Sequence, residues 1–246
     1  MIFKEQKLYL SMHVRAFIEE MERLAPPDLA EDFDAGKIGL VVEGKKDISR
    51  ICCALDATQF VVNQAILASA DVLVVHHTPL WTPLTALTGR VAGLMRALLS
   101  AEMNLYVMHT NFDKAEEGVN DALAELLSLV DTEPLVLGCI GTCTLTPVEI
   151  SRCLGGNVRL WGEIKKCSRL ALAAGSCFDP YLIGEAYVKG ADVFLSAEMK
   201  HSVARSSPLP CIEASHYSLE APAMQRLAIR KGWQYIDDPP LLQTIP

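Results

Sequence analysis

Histidines and carboxylates stand at the ends of apolar, strand-like runs of this sequence. Those that follow three such runs are His76, His77, His109, Asp113, His216 and Glu220. A fourth, weaker run ends in Asp56. Because ligands bind outside the carboxyl ends of the strands in parallel α/β sheets, these side chains are predicted to converge on one site. Imidazole and carboxylate together suit zinc, iron or manganese better than calcium or magnesium.

The adjacent pair His76 and His77 is the strongest of these signals. The pair follows the aliphatic run 72–75, and unpaired imidazoles buried at the end of such a strand would cost stability. Successive side chains on a strand point to opposite faces, but Pro79 predicts a turn that would aim both rings inward. The pair is therefore interpreted as a pair of metal ligands.

The other residues also fit ordinary structural roles. Glu220 follows His216 by four residues, so both would reach one cavity if Glu220 lies in the first turn of a helix. Taken alone, a Glu at that position is better explained by its favourable interaction with the helix dipole. Asp113 fits a turn or cap residue, and His109 fits a structural residue or one that supports a ligand.

The elements that must position these residues alternate along the chain. The predicted strands are 37–44, 50–57, 71–77, 104–111, 134–145, 157–163, 169–175, 191–198, 209–216 and 233–238. The predicted helices are 14–24, 60–70, 91–103, 118–130, one that starts at Pro147, 180–190 and 218–232. Thr146 and Glu149 form a capping box at the start of the fifth helix.

This alternation predicts an α/β fold of two lobes with mostly parallel sheets and flanking helices. Residues 1–132 plus 209–246 are expected to form the lobe that carries the metal site. Residues 133–208 would form a second α/β lobe inserted between them, since the texture of the sequence changes near Pro134.

Composition narrows the class of protein. The 30 acidic and 22 basic residues give a net charge of −8, which argues against a general nucleic-acid binder. No apolar run reaches the roughly 18 residues that a membrane-spanning helix needs, and the first residues do not resemble a secretory signal. Eight scattered cysteines in such a chain indicate a reducing compartment, so a cytoplasmic protein is expected.

The segment 71–81, DVLVVHHTPLW, resembles the His-His-x-Pro-hydrophobic-Trp motif of the Ngg-interacting-factor-three-like proteins. That family is also labelled GTP cyclohydrolase I type 2 homologues. Further matching segments are 39–40, 55–58, 109–113, 184–201 and 215–220, so the resemblance extends over most of the chain. The His-His and His-x-x-x-Glu motifs in this order are specific jointly, although each is weak alone.

The resemblance implies a dinuclear metal centre. Its ligands in this chain would be His76, His77, Asp113, His216 and Glu220. Glu220 would be the carboxylate that bridges the two ions. The resemblance also implies a two-lobed α/β fold, assembly as a toroidal homohexamer with the metal sites facing an inner cavity, and a cytosolic location.

Two segments depart from the family pattern. The family usually has a Trp-Asp-Asn-Val-Gly-Leu stretch, whereas this chain has FDAGKIGL at 33–40. The later Thr-Gly-Asp motif of the family stands here as Ser196-Ala197-Glu198, which keeps the acid but makes it one methylene longer. All five implied ligand positions are unchanged.

A two-metal site predicts hydrolysis of an ester, an amide or a ring carbon in a small-molecule substrate of unknown identity. Glu198, His201 and His109 are the candidates for proton transfer because they lie at or just past strand ends. Taken alone, these residues fit helix caps or surface polar groups better than catalytic residues. The alternative function is a non-catalytic, metal-binding oligomeric platform or adaptor for a protein or nucleic-acid partner, and the negative charge makes a nucleic acid the weaker choice.

Overall fold

The computed structural model describes residues 11–164 and 167–242, which form the predicted two-lobed α/β fold. The strands are β1 (Met12–His13), β2 (Gly39–Val42), β3 (Asp47–Ile48), β4 (Ile51–Asp56), β5 (Val72–His77), β6 (Asn104–Val107), β7 (Val130–Pro134), β8 (Cys139–Thr142), β9 (Arg159–Trp161), β10 (Arg169–Leu172), β11 (Val193–Ser196), β12 (Cys211–Glu213) and β13 (Gln234–Tyr235). The helices are α1 (Val14–Leu24), α2 (Gln59–Leu67), α3 (Gly89–Ser100), α4 (Thr110–Lys114), α5 (Val119–Leu126), α6 (Pro147–Cys153), α7 (Pro180–Val188), α8 (His201–Ser206) and α9 (His216–Lys231).

Strand β5 lies at the centre of a five-stranded sheet with the order β13-β4-β5-β6-β2. The first four strands are parallel, and β2 pairs antiparallel with β6. Leu73 and Val75 point into a core that contains α2 and α3. Val72 and Val74 point into the opposite core, against α1, α5 and α9. Because both faces are buried, β5 is aliphatic up to its histidines instead of alternating with polar residues.

The second sheet has six strands in the order β7-β8-β10-β11-β12-β9. Strands β10, β11 and β12 are parallel, and antiparallel ladders flank them on both sides. One face packs on α7 and α8 through Ala171 and Phe194. The other face contributes Leu195 and Ile212 to the core that also holds α5, α9 and the first sheet. Helix α9 therefore belongs to the core of both lobes.

Helix α5 and the segment 134–145 differ from their predicted boundaries. Helix α5 ends at Leu126, where the prediction continued to residue 130, and Val130 instead begins β7. The chain turns at Ser128, whose φ of 54° lies in the left-handed region and ends the helix. The segment 134–145, predicted as one strand, holds only the end of β7 and β8.

The predicted division into a lobe of residues 1–132 plus 209–246 and a lobe of residues 133–208 stays a prediction. The six-stranded sheet itself runs from Val130 to Glu213, so β7 and β12 lie at the two boundaries of that division. No helix within the described ranges combines the length and the apolar character needed to cross a bilayer.

Candidate metal centre

His76 and His77 occupy the carboxyl end of β5, and a fixed acceptor holds each ring. The Nδ1 atom of the buried His76 lies 2.8 Å from the backbone oxygen of Met108. The Nδ1 atom of His77 lies 2.8 Å from Oδ1 of Asp56, its neighbour in the β4–β5 ladder. Since both partners only accept, each Nδ1 carries the proton and each Nε2 faces the site with a lone pair when the ring is neutral.

His216 and Glu220 lie one turn apart at the start of α9. Ser215 caps this helix by accepting a hydrogen bond from the Ser218 backbone N–H, which places His216 at the first helical position. The Nδ1 atom of His216 lies 2.9 Å from Oε1 of Glu198. Glu220 is 2% exposed, so its carboxylate has left bulk water. A buried carboxylate needs compensating charge or hydrogen bonds.

Asp113 reaches the same point from α4, a five-residue helix directly after β6. The backbone oxygen of Asp113 accepts a hydrogen bond of 2.9 Å from the side-chain amide of Asn120, which ties the short helix to α5. Its Oδ1 atom lies 3.5 Å from Nε2 of His76. Asp113 therefore lies in a short helix and not in a turn, and its carboxylate is buried at the cluster.

The Oε2 atom of Glu220 is the centre of the cluster. It lies 3.0 Å from Nε2 of His216, 3.1 Å from Nε2 of His77 and 3.8 Å from Nε2 of His76. The buried atoms in this cluster that make no hydrogen bond within the described chain are His76 Nε2, Asp113 Oδ1, His216 Nε2 and Glu220 Oε2. Buried polar atoms are nearly always satisfied, so four orphans aimed at one point fit a metal ion.

The donor geometry supports this fit. Three groups of side chains could each hold an ion, with ligand atoms within 4.8 Å of one another. These groups are His77 with His216 and Glu220, His76 with Asp113 and Glu220, and His76 with His77 and His109. The first two groups share Glu220, as a bridging carboxylate would. Imidazole and carboxylate donors suit zinc, iron and manganese.

Burial and ion pairing move the pKa values of the three rings apart. Burial lowers the pKa of His76 to about 3, although the charge of Glu220 opposes this effect. Burial also disfavours the charged form of His77, but the hydrogen bond to Asp56 and the nearby negative charge of Glu220 outweigh burial and raise its pKa to about 10. Burial likewise disfavours the charged form of His216, but the neighbouring Glu220 and Glu198 outweigh burial and raise its pKa to about 9. The negative charge of the carboxylates can therefore be balanced either by protons on these two rings or by a metal ion.

The two buried carboxylates respond in opposite directions. Burial would raise the pKa of Glu220, but the surrounding rings of His76, His216 and His77 hold it well below its usual value. Burial and the neighbouring charge of Glu220 both raise the pKa of Asp113. Like charges this close disfavour joint ionisation, and a cation between them removes that conflict.

His109 lies beside the cluster and pairs with a carboxylate of its own. Its Nδ1 atom is 2.9 Å from both oxygens of Asp34, a fully buried residue. Thr110 donates two further hydrogen bonds to Asp34 through its backbone N–H and its hydroxyl. The His109 ring stands 5.0 Å from the rings of both His76 and Trp81, measured between centroids. Burial lowers the pKa of His109, partly offset by Asp34.

Of the other predicted proton-transfer residues, Glu198 reaches the site and His201 does not. Glu198 follows β11 with a φ of 62°, and its carboxylate holds His216. His201 begins α8 and is exposed, and no hydrogen bond or ion pair between described residues joins it to the cluster.

Two supporting residues were not singled out by their sequence. Asp34 lies in a short 3-10 turn and contacts a ring 75 residues away, so only the fold reveals it. Gly175 has a φ of 78°, and a Cβ atom there would lie 2.5 Å from Oε1 of Glu220. Glycine therefore lets the backbone after β10 approach the buried carboxylate.

The cluster opens into three cavities, all lined by His216. Their volumes are about 840, 570 and 550 Å³. His77 and Asp56 line both the cavity of about 570 Å³ and the cavity of about 550 Å³. Trp81 and Arg90 also line the cavity of about 570 Å³. Volumes of this size accommodate small organic molecules.

The fold and the site define a two-lobed α/β protein whose histidines and carboxylates form a cluster able to hold a metal ion. The chain belongs to the DUF34/NIF3 (NGG1p interacting factor 3) family, whose sequence profile matches residues 12–231. The resemblance inferred from the motifs is thereby confirmed.

Relatives and solved structures agree with this placement. A GTP cyclohydrolase 1 type 2 homolog from Streptomyces coelicolor is 32% identical over 251 residues, which covers 88% of this chain and 87% of the relative. A protein of the same name from Methanocaldococcus jannaschii is 32% identical over 227 residues, with 85% and 90% covered. The structure of reduced HcgD from Methanocaldococcus jannaschii matches with a TM-score of 0.80 at 28% identity, covering 92% of this chain and 97% of that chain.

Proposed function

We propose that this chain is a dinuclear metal-dependent hydrolase that acts on a small molecule. The proposed ligands are His76, His77, Asp113, His216 and Glu220, with zinc, iron or manganese as the ions. The observation that carries the proposal is the position of Glu220 Oε2, which lies 3.0–3.8 Å from Nε2 of three histidines. A carboxylate shared by two groups of donors is what a bridged pair of ions requires.

Divalent ions at these residues would supply Lewis-acid polarisation and would lower the pKa of water at the site. The protein's own contribution is to orient the rings through Met108, Asp56 and Glu198, each at an Nδ1 atom. Such partners fix the tautomer and raise the basicity of the ligating nitrogen. We therefore assign Glu198 to positioning His216.

His109 is the residue we assign to proton transfer. Its Nδ1–H donates to the buried Asp34, so Nε2 is the atom that can accept a proton from a nucleophile and return it to a leaving group. A carboxylate behind the ring stabilises the protonated form that arises during this transfer. His201 has no contact that would give it this role, and we leave it out of the proposed machinery.

The reaction class, the assembly and the cellular location that we propose follow those that the family resemblance implies. Relatives named GTP cyclohydrolase 1 type 2 homolog support the proposal of hydrolytic chemistry on a small molecule. We propose a homohexamer in the cytoplasm, and the 50% hydrophobic content is consistent with apolar surface between subunits. Light scattering that gives only monomer at micromolar concentration would refute the assembly.

The test is metal analysis combined with anomalous scattering from crystals of the wild type and of Glu220→Gln. The substitution removes the shared negative charge, so at least one ion should be lost and turnover should collapse while the circular dichroism spectrum and oligomer size persist. Glu19→Gln, at an exposed position of α1, is the matched control and should leave metal content unchanged. Unchanged metal content in Glu220→Gln would mean that the bridge is wrongly assigned.

The platform alternative gives a different result in the same experiment. The wild type would turn over none of a screen of phosphoesters, nucleotides and cyclic amides. Glu220→Gln would then lose metal and yet bind the partner as the wild type does. Activity that falls with metal content excludes this outcome.

A further inference from the structure

A cavity of about 840 Å³ lies beside His216, on the side of the cluster formed by the second lobe. Helix α6, strand β9 and the carboxyl ends of β11 and β12 contribute its walls. The polar residues that line it are Ser151, Asn157, Arg159, Glu198, Glu213, Ser215 and His216. The carboxyl ends of parallel strands are where α/β sheets bind ligands, so the cavity has the position of a substrate pocket.

A buried carboxylate, Glu213, sits at the end of β12 in the wall of this cavity. It is 5% exposed and three residues before His216 in the chain. Its Oε2 atom accepts a hydrogen bond of 2.7 Å from Nε1 of Trp161, and Oε1 accepts one of 3.2 Å from the Met199 backbone N–H. Arg159, its partner in the β9–β12 ladder, donates to Oε1 as well.

This arrangement fixes the guanidinium of Arg159 at the cavity wall. The Arg159 side chain is 70% exposed, and its guanidinium carbon lies 6.0 Å from the centroid of the Trp161 ring. Burying a carboxylate costs free energy that an apolar residue would avoid, so Glu213 is not explained by stability alone. Glu213 and Trp161 instead hold one edge of the guanidinium in place, and the remaining N–H groups can face a ligand.

The rest of the lining defines what such a ligand looks like. Val148, Val158 and Leu242 supply apolar surface. Among the described residues that line the cavity, Arg159 is the one arginine or lysine. A fixed guanidinium recognises the planar or tetrahedral oxygens of a carboxylate or a phosphate by paired hydrogen bonds. Apolar walls favour a hydrophobic body attached to that anion.

We propose that Arg159 anchors an oxyanion group, either a phosphate or a carboxylate, of a small organic substrate with an apolar body. Because Glu213 and His216 stand on one short segment, a molecule held at Arg159 has its other end beside the metal cluster. This proposal rests on the proposed function, since it takes the cluster to be the reacting centre. It adds the chemical class of the substrate and a residue that selects it.

The test measures the binding of three matched probes to the metal-loaded protein by isothermal titration calorimetry. The probes are phenylphosphonate, benzoate and neutral benzyl alcohol, which share an aromatic body and differ in the head group. The wild type should bind at least one anion more tightly than benzyl alcohol, and the tighter anion identifies the head group as phosphate-like or carboxylate-like. Arg159→Gln should weaken that anion at least tenfold and leave benzyl alcohol unchanged.

Control variants separate anchoring from charge and from folding. Arg152→Gln makes the same charge change on α6 outside the lining and should bind the anion within twofold of the wild type. Arg159→Lys keeps the charge but loses the paired geometry, so an intermediate affinity is expected. Arg159→Gln leaves Glu213 buried without its cation, so the double variant Arg159→Gln/Glu213→Gln provides a neutral pair if the single variant fails to fold.

Equal anion affinity in the wild type and the folded Arg159 variants would overturn the proposal, as would an equal loss in Arg152→Gln. Metal content, measured on the same samples, separates this failure from a failure of the proposed function. If the ions are bound but anion affinity does not depend on Arg159, the proposed role of Arg159 is wrong and the proposed metal centre is unaffected. If no ion binds at His216 and Glu220 in the wild type, the proposed function itself is wrong.

Discussion

Glu198 holds Nδ1 of His216 at 2.9 Å from a backbone conformation in the left-handed region, with a φ of 62°. A non-glycine residue pays for this conformation, and such strain concentrates at functional sites. The interaction joins the end of β11 to the start of α9. It is one of four cases in which a fixed acceptor holds the Nδ1 atom of a histidine at the cluster.

We expect Glu198→Gln to weaken metal binding at His216. The amide can still accept a hydrogen bond from Nδ1, but it carries no charge to raise the basicity of Nε2. Loss of such a supporting carboxylate typically costs 10–100-fold in metal affinity. Competition against a chelator of known affinity measures the change, with Glu19→Gln as the control. A Glu198→Gln protein with wild-type affinity would show that the contact does not support a ligand.

Gly175→Ala should damage the site without touching a proposed ligand. The new Cβ would lie 2.5 Å from Oε1 of Glu220, closer than carbon and oxygen can approach, so the carboxylate must move. Metal content measured after gel filtration should fall. Gly190→Ala is the matched control, because Gly190 has a similar φ of 82° and a Cβ there meets no atom within 4 Å. Equal losses in both variants would attribute the effect to backbone strain and not to the clash.

Much of the candidate site is predictable from local sequence. His76 and His77 end an aliphatic run, and a strand buried on both faces has no other reason to finish in two imidazoles. His216 and Glu220 are separated by one helical turn, so their common orientation needs only the helix to begin at Ser215, which caps it. The convergence of strand ends in a parallel sheet brings these local signals together.

The supporting contacts could not be predicted because they depend on how distant segments pack. Asp34 meets His109 across 75 residues, and Glu198 meets His216 across 18. Gly175 is unremarkable in sequence, and its importance appears only when α9 brings Glu220 beside it. His201 lies just past a strand, as its sequence position indicated, but it is exposed at the start of α8, so its role in proton transfer stays a prediction.

Removal of the metal ions should lower the thermal stability of the protein, because ions that bind only the folded chain stabilise the folded state. The cluster exists only in the folded chain, so ions at about 100 times their dissociation constant add about 2.7 kcal/mol to the free energy of unfolding. For a domain of this size that corresponds to a rise of about 5–10 °C in Tm. Differential scanning calorimetry with a chelator and with added Zn²⁺ measures it. The same rise in Glu220→Gln would place the stabilising ion elsewhere in the protein.

Asp71 is held by a hydrogen-bond network that is separate from the candidate metal centre. Its Oδ2 atom accepts hydrogen bonds of 2.9 and 3.1 Å from the backbone N–H groups of Ser49 and Arg50. Its Oδ1 atom lies 2.9 Å from Nζ of Lys45. Burial alone would raise the pKa of Asp71, but these donors outweigh burial and hold it below its usual value.

A carboxyl group whose pKa is lower in the folded than in the unfolded chain stabilises the protein at neutral pH. That contribution is lost as the pH falls below about 4, through the pKa of the folded state. We expect Asp71→Asn to reduce the free energy of unfolding at pH 7 by about 1–3 kcal/mol, because the donors lose a charged acceptor. The difference from the wild type should shrink as the pH is lowered toward 2 in urea titrations. Asp28→Asn, at an exposed position, should follow the wild-type curve at every pH. A constant difference between Asp71→Asn and the wild type at all pH values would show that the loss comes from packing and not from the charge.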